Sequence, residues 1–265
     1  MNAEGKVFVI TGAGSGIGRA LAIGLSKKGA KLVLNGRNVD ALEQTSNMLD
    51  KKCGAHIVIA GDVTDTSTRN AIAFRAEKEL GGIDVLINNA GVSVVGPLSS
   101  MSDDELNKMV KTNLLAPMQM TRDMLGVLKK SSCGRVVNVG SMFGDIAFPL
   151  FAGYSATKFG LRGFSDALRR ELAPMGIGVT YCAPRATQTG ATPAQQHLIE
   201  PFAMKIDEAS VPAKNIIQAI EADKNTVYPR TGERLFVLLQ RLFPSIIDKT
   251  LVKQLLASDY TDSVK

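Results

Sequence analysis

Tyr154 and Lys158 form the sharpest chemical pair in this chain of 265 residues. On a helix their four-residue spacing places both side chains on one face, a turn apart. A phenol in water titrates near ~10. A neighbouring ammonium favours phenolate, which predicts a tyrosine pulled toward neutrality. Such a group can exchange a proton with a carbonyl or alcohol oxygen. Ser141, thirteen residues earlier, offers a hydroxyl to the same oxygen. Asn113 lies in a helical stretch where Asn is a poor helix former. There it could bend the helix and hold water near Lys158. The plain alternatives are a chance helical pair, a strand-end cap and a surface amide.

A second set of residues suits a dinucleotide. Thr11-Gly12-Ala13-Gly14-Ser15-Gly16-Ile17-Gly18 follows a β-branched run, Val7 to Ile10, and opens a helical stretch. In that context the glycines admit a pyrophosphate close to the backbone, and the helix amino end supplies free N–H groups. A carboxylate after the second strand would favour NAD(H) through the ribose 2′-OH. Here Asn35-Gly36-Arg37 stands instead. The planar fork of Arg37 suits a 2′-phosphate, so NADP(H) is expected over NAD(H). Asp40 nearby, or Arg37 as a solvated surface residue, is the competing reading. Asp62-Val63 closes the third strand, where the carboxylate can accept from an adenine amino group or cap a turn. Asn88-Asn89-Ala90-Gly91 follows the fourth strand, and the small Ala90 and Gly91 leave room for the middle of a cofactor.

These motifs need a scaffold that brings strand ends together. Strands are expected at Val7–Ile10, Lys31–Asn35, His56–Ala60, Ile83–Asn88, Arg135–Val139 and Ile177–Cys182, each apolar on both faces. Helices are expected over Gly16–Lys28 with Gly29 as the stop, Asn38 to about Lys52, Ser67–Leu80, about Asp103–Leu125 and Ala152–Ala173. Ser102-Asp103-Asp104-Glu105 reads as a capping box, which accounts for its acids without a catalytic carboxylate pair. Alternation of buried strands and helices implies an α/β fold: one doubly wound Rossmann-type parallel sheet with helices on both faces. Its ligand belongs at the carboxyl ends of the strands. No linker or repeat divides the chain, so residues 1–265 are expected to form one domain.

Bulk properties narrow the class. The chain is 45% apolar and 21% charged, with a formal charge of +6 and no long basic block. Nucleic acid is not an expected partner; anionic cofactors, anionic substrates or an acidic membrane surface fit better. Cys53, Cys133 and Cys182 form no CxxC pair, which suits a reducing, cytoplasmic setting. His56 and His197 lack ligand-like partners, so no metal is expected. A first strand by Lys6 leaves no room for a signal peptide, and no apolar run reaches the length of a spanning helix.

Taken together, Thr11 to Gly18, Asp62-Val63, Asn88 to Gly91, Asn113, Ser141, Tyr154 and Lys158 resemble the short-chain dehydrogenase/reductase family over about residues 5–190. The resemblance implies an oxidoreductase acting on CH–OH or C=O groups. It implies that Tyr154 is the acid/base, and that Lys158 lowers its pKa and contacts the nicotinamide ribose. It implies that Ser141 orients the carbonyl, that Asn113 completes a proton relay, and that Pro184 to Thr189, with Thr187, pass the nicotinamide. A homodimer or homotetramer is also implied, with the helices around 103–125 and 152–173 pairing between copies through a stripe of Met109, Leu114, Met118 and Leu125. A catalytically idle regulator of the same fold is disfavoured by the intact Asn113, Ser141, Tyr154 and Lys158.

Two departures from the family stand out, at Arg185 and in the C-terminal tail. Arg185 follows Pro184 where a glycine is usual; it could cover the nicotinamide, meet an anionic substrate or face solvent, the last being the simplest. The segment from Thr187 to about Ala209 contains Ala191, Leu198, Ile199, Phe202 and Met204. It leans apolar, as a cover for a hydrophobic ketone, aldehyde or matching alcohol would. A strand-like Thr226-Val227-Tyr228 then precedes an amphipathic stretch over 232–258, which Pro244 should split into two helices. Such helices usually pack on protein; the alternative is a basic, lipid-facing lid and a peripheral membrane role.

Overall fold

The computed structural model describes residues 1–187 and 206–256. Among them, seven strands form one parallel sheet: β1 (Val7–Thr11), β2 (Lys31–Gly36), β3 (His56–Ala60), β4 (Val85–Asn88), β5 (Arg135–Val139), β6 (Gly178–Cys182) and β7 (Thr226–Val227). Their order is β3-β2-β1-β4-β5-β6-β7, so the winding reverses between β1 and β4. The helices are α1 (Gly16–Ser26), α2 (Val39–Asn47), α3 (Thr66–Arg75), α4 (Asp103–Val110), α5 (Ala116–Leu128), α6 (Ala152–Leu172), α7 (Ser210–Glu221), α8 (Thr231–Leu242) and α9 (Pro244–Leu256).

Strand alternation divides the core into two layers. Phe8 and Ile10 of β1 pack with Leu21 and Leu25 of α1 and with Ile216 and Ile220 of α7. Val7 and Val9 face the other way, onto Ile72 of α3, Met120 and Met124 of α5 and Leu168 of α6. Both faces of the sheet are therefore dry, which is why its strands read as continuous apolar runs.

Local chemistry sets most boundaries. Asn38 accepts the Ala41 N–H at 2.9 Å and starts α2. That helix ends at Asn47 rather than near Lys52. Asp50 accepts the Lys52 N–H and sends its own N–H to Ser26 Oγ, which diverts the backbone into a turn. Both halves of the capping box are made: Ser102 Oγ accepts from the Glu105 N–H, and Glu105 accepts from the Ser102 N–H. The expected long helix through Asn113 is interrupted. A π-helical turn, Lys111–Leu115, separates α4 from α5 and carries Asn113. A second π turn, Ala76–Leu80, finishes the segment after α3. Gly29, at φ +75°, closes the turn from α1 to β2, where a Cβ would be strained.

Pro244 splits the C-terminal stretch as expected, with α9 starting on it. Val237 of α8 and Ile247 and Leu251 of α9 are buried against Ile146, with Phe148, Leu150 and Tyr228 around them. Burial on the domain thus holds for one stripe of each helix. The apolar cover expected between Thr187 and Ala209 lies mostly outside the described residues. At its ends, Thr187 bridges Asp207 in the parallel sense.

Candidate functional site

The cofactor cradle grows from the β1–α1 turn. The Thr11 hydroxyl donates to the Ile87 carbonyl and accepts the Asn89 and Ala90 N–H groups at 2.9 and 3.0 Å. Asn89 in turn donates to the Thr11 and Gly12 carbonyls. These bonds lock the glycine loop to the turn after β4. Gly12 has φ +67°, and a Cβ at Gly18 would collide with the Gly12 carbonyl. Helix α1 starts at Gly16. Its N-cap, Ser15, makes no side-chain cap bond, and no acid sits in the first turn. Free N–H groups and partial positive charge therefore meet at a loop stripped of side chains, as a pyrophosphate requires. Ile17 anchors the first turn on the core. Arg19, which local sequence did not single out, braces this loop by donating to the Gly14 and Ala41 carbonyls and to Thr45 Oγ1.

The strand ends beside the cradle carry the residues expected at the adenosine. Arg37 is exposed just past β2. Among the described residues it has no hydrogen-bond or ion-pair partner, so its fork is free to meet an anion. Asp62 caps a turn, with one oxygen accepting the Thr64 N–H and hydroxyl at 2.9 and 2.8 Å. Its other oxygen is left for a further donor. Val63 is buried, and its carbonyl accepts from Arg69 at 3.1 Å.

The ends of β4 and β5 bring the chemical residues together. Lys158 is 4% exposed; its Nζ donates to the Val139 carbonyl at 3.0 Å and lies 5.6 Å from the Tyr154 ring centroid. The Ser141 hydroxyl accepts the Phe143 N–H at 3.1 Å and lies beside the Tyr154 phenol, whose pKa it lowers. Asn113 is 1% exposed. Its amide donates to the Val92 carbonyl and to Thr157 Oγ1, and its oxygen accepts the Val92 N–H. Both donors are spent on bracing, which leaves one lone pair on Oδ1 for water. Gly91 closes the group: a Cβ there would lie 3.3 Å from Asn113 Oδ1 and 3.7 Å from Lys158 Nζ.

Electrostatics correct one expectation. Protein surrounds the Tyr154 hydroxyl, although the residue as a whole is half-buried, and loss of water pushes the phenol up to about 12. Only the Ser141 hydroxyl pulls the other way. Lys158 does not offset this loss of water in the folded chain; burial brings the lysine's own pKa down to about 8, which leaves it an ammonium at neutral pH.

The strand β6 end departs further. Pro184 accepts the Met142 N–H at 2.9 Å, tying this loop to the Ser141 segment. Arg185 does not face solvent. Its guanidinium is largely buried and pairs with Asp207 at 3.5 Å and with Glu233 of α8 at 3.0 Å. Thr189 lies outside the described residues.

A supporting network also escaped the sequence reading. Tyr181 of β6 donates to the Ser141 carbonyl at 3.1 Å and fills the space that glycine leaves at 140 and 144. The Arg162 guanidinium lies over the Tyr181 ring and pairs with buried Asp145. Asp145 also accepts from the Tyr228 hydroxyl at 3.1 Å and from Arg241 of α8 at 3.4 Å. The segment from Ser141 to Asp145 is thus held at both ends. Its partners lie up to 96 residues away, so no local pattern announces them.

A family model described as short chain dehydrogenase matches residues 6–198. The chain is 35% identical over 194 residues to a 3-oxoacyl-(acyl-carrier-protein) reductase of Salmonella typhimurium, covering 73% of this chain and 78% of that one. It is 38% identical over 189 residues to the ketoacyl reductase HetN of a Nostoc species, covering 71% and 66%. An uncharacterised oxidoreductase of Staphylococcus saprophyticus is 37% identical over 195 residues, covering 72% and 78%. With its glycine loop at the β1–β4 reversal, Ser141 just past β5, and Tyr154 and Lys158 on α6 beside it, this oxidoreductase belongs to the short-chain dehydrogenase/reductase family.

Proposed function

We propose that the protein reduces the 3-oxo group of an acyl chain carried as a thioester, using NADPH. The observation that carries this reading is the meeting of Ser141, Tyr154 and Lys158 beside a cradle fit for a dinucleotide. The named relatives, two of them ketoacyl reductases, narrow the generic hydrophobic ketone to an acyl-linked one. Bound NADPH would supply hydride to the carbonyl carbon. Tyr154 gives its phenolic proton to the carbonyl oxygen, which becomes the alcohol. The Ser141 hydroxyl donates to the same oxygen and fixes its position. Lys158 holds positive charge beside the phenol as the proton leaves, and Asn113 Oδ1 offers an acceptor for water that reprotonates the pair. Gly12 to Gly18, with Asn89 to Gly91, would hold the pyrophosphate and central part; Asp62 and Val63 the adenine; Pro184, Thr187 and Thr189 the nicotinamide end.

NADPH oxidation against acetoacetyl-CoA, longer 3-oxoacyl thioesters, free ketones, aldehydes and quinones tests the reading. The thioesters should give the highest kcat/KM. NADPH should be preferred over NADH, because a charge-assisted bond from Arg37 contributes about 1.5–3 kcal/mol. Arg37→Ala should therefore lower kcat/KM for NADPH roughly ten- to a hundredfold and leave NADH unchanged. Turnover with no carbonyl in the panel would instead favour an idle dinucleotide-binding protein.

The reading includes a homo-oligomer. Met109 of the expected stripe is buried inside the subunit, and Leu114 and Leu125 are half-buried there. Val110, Leu115 and Phe159 remain as large exposed apolar side chains on the same helical layer. Light scattering should show at least a dimer at micromolar concentration, and a monomer there would reject pairing through this layer.

A further inference from the structure

The family model ends at residue 198, so α8 and α9 lie beyond it. Eight of the eighteen large apolar side chains exposed among the described residues lie within 235–256. On α8, Val237 and Arg241 turn toward the domain, while Leu235, Leu238 and Leu242, at spacings of three and four, are 68%, 50% and 61% exposed. Leu235, Leu238 and Leu242 share one helical face, away from the side that docks. Phe236 of α8, Phe243 at the break, and Ile246, Val252 and Leu256 of α9 are exposed as well. A patch of this kind on a soluble domain marks an interaction site.

Charge decides what covers it. Arg230, Arg234, Lys249 and Lys253 are exposed, and among the described residues none has an ion-pair partner and Asp248 is the only exposed, unpaired acid on the two helices. Glu233 and Arg241 are already paired, with Arg185 and Asp145. In a two-fold contact the same patch faces itself, so a basic rim would meet a basic rim. An anionic lipid surface accepts both features: leucine and phenylalanine enter the interface while arginine and lysine reach the headgroups.

We propose that the outer face of α8 and α9 docks on an anionic lipid surface. The helix pair rests on the segment that carries Ser141, so docking would hold that segment close to the lipid surface. The two ion pairs, Arg185 with Glu233 and Asp145 with Arg241, fix α8 relative to that segment.

The test uses the full-length protein without substrate, so its result stands apart from the proposed activity. Vesicles of phosphatidylcholine, alone or mixed with phosphatidylglycerol, are sedimented at low and high salt. The protein should pellet with the anionic vesicles, less so in high salt and little with phosphatidylcholine alone. Lys249→Gln and Lys253→Gln should each weaken partitioning about fivefold. The triple variant Leu235→Gln, Leu238→Gln, Leu242→Gln should lose it, with a melting temperature near the parent's because these side chains are already exposed. No pelleting with anionic vesicles at low salt overturns the proposal, as does pelleting unaffected by the lysine variants. So does a triple variant that binds vesicles normally, or one that instead lowers the oligomer mass and thereby assigns the face to a second copy.

Discussion

Tyr154→Phe is expected to lower kcat by about 10²–10⁴-fold, the range that a positioned proton donor contributes. The substitution removes one oxygen and keeps the ring. The edge-on contact with Phe143, at 6.0 Å between centroids, and the Lys158 ammonium 5.6 Å from the ring centre involve no hydroxyl. NADPH binding, followed by cofactor fluorescence, should therefore stay within a fewfold of the parent. With the phenol pushed up to about 12, the tyrosine stays protonated across the neutral range. It is then a proton donor ready for reduction, whereas alcohol oxidation would first need the phenolate. Reduction should accordingly outrun oxidation near neutral pH. Near-parental turnover in the phenylalanine variant would remove Tyr154 from the mechanism.

The sheet was legible because its determinants are local. Strands β3 and β5 occupy the expected residues, since apolar runs closed by polar or glycine residues leave little choice of register. Asn38 and the Ser102–Glu105 box could be read because a cap bonds within three residues of itself. The candidate site was legible for a similar reason: its glycine loop, Asp62, Asn88 to Gly91 and Ser141 follow strand ends, which a parallel sheet gathers at one edge, and Tyr154 and Lys158 share one face of α6. What failed was long-range. Arg185 was expected in solvent because Glu233, its partner, lies 48 positions later on a helix whose docking angle no sequence period reports. The Tyr154 pKa was misjudged because spacing reveals a neighbouring charge but not the burial that opposes it. The C-terminal helices pack one stripe on the domain, as the protein-packing reading had it, and leave their other face exposed. Their amphipathic period gave the helices and the proline break, but both sides of α8 carry large apolar residues, so the period alone could not choose the docked one.

Lys158 should give the second-largest effect, and its sign follows from burial. The ammonium is nearly excluded from water and its pKa falls from 10.5 to about 8. Below pH 8 the folded and unfolded chains both carry the proton, and the fold bears the full cost of a buried charge. Between about 8 and 10.5 the folded chain loses that proton while the unfolded chain keeps it, so stability rises with pH. The cost at neutral pH is on the order of 3 kcal/mol. Lys158→Met keeps the volume and drops the charge, though it leaves the Val139 carbonyl without its donor. That loss does not vary with pH, and Tyr154, present in both proteins, cancels in the comparison. The unfolding free energy of the methionine variant relative to the parent should therefore shrink by about 3 kcal/mol from neutral pH to above 10.5, as measured by denaturant titration at each pH. Turnover should be lost in the same variant, because no ammonium then stabilises the phenol as its proton leaves. A pH-independent difference between the two proteins would mean that Lys158 reaches water in the folded state and keeps its ordinary pKa. A neutral chain of the same shape would fold more readily at neutral pH, so the proposed mechanism is what gives this buried charge a use.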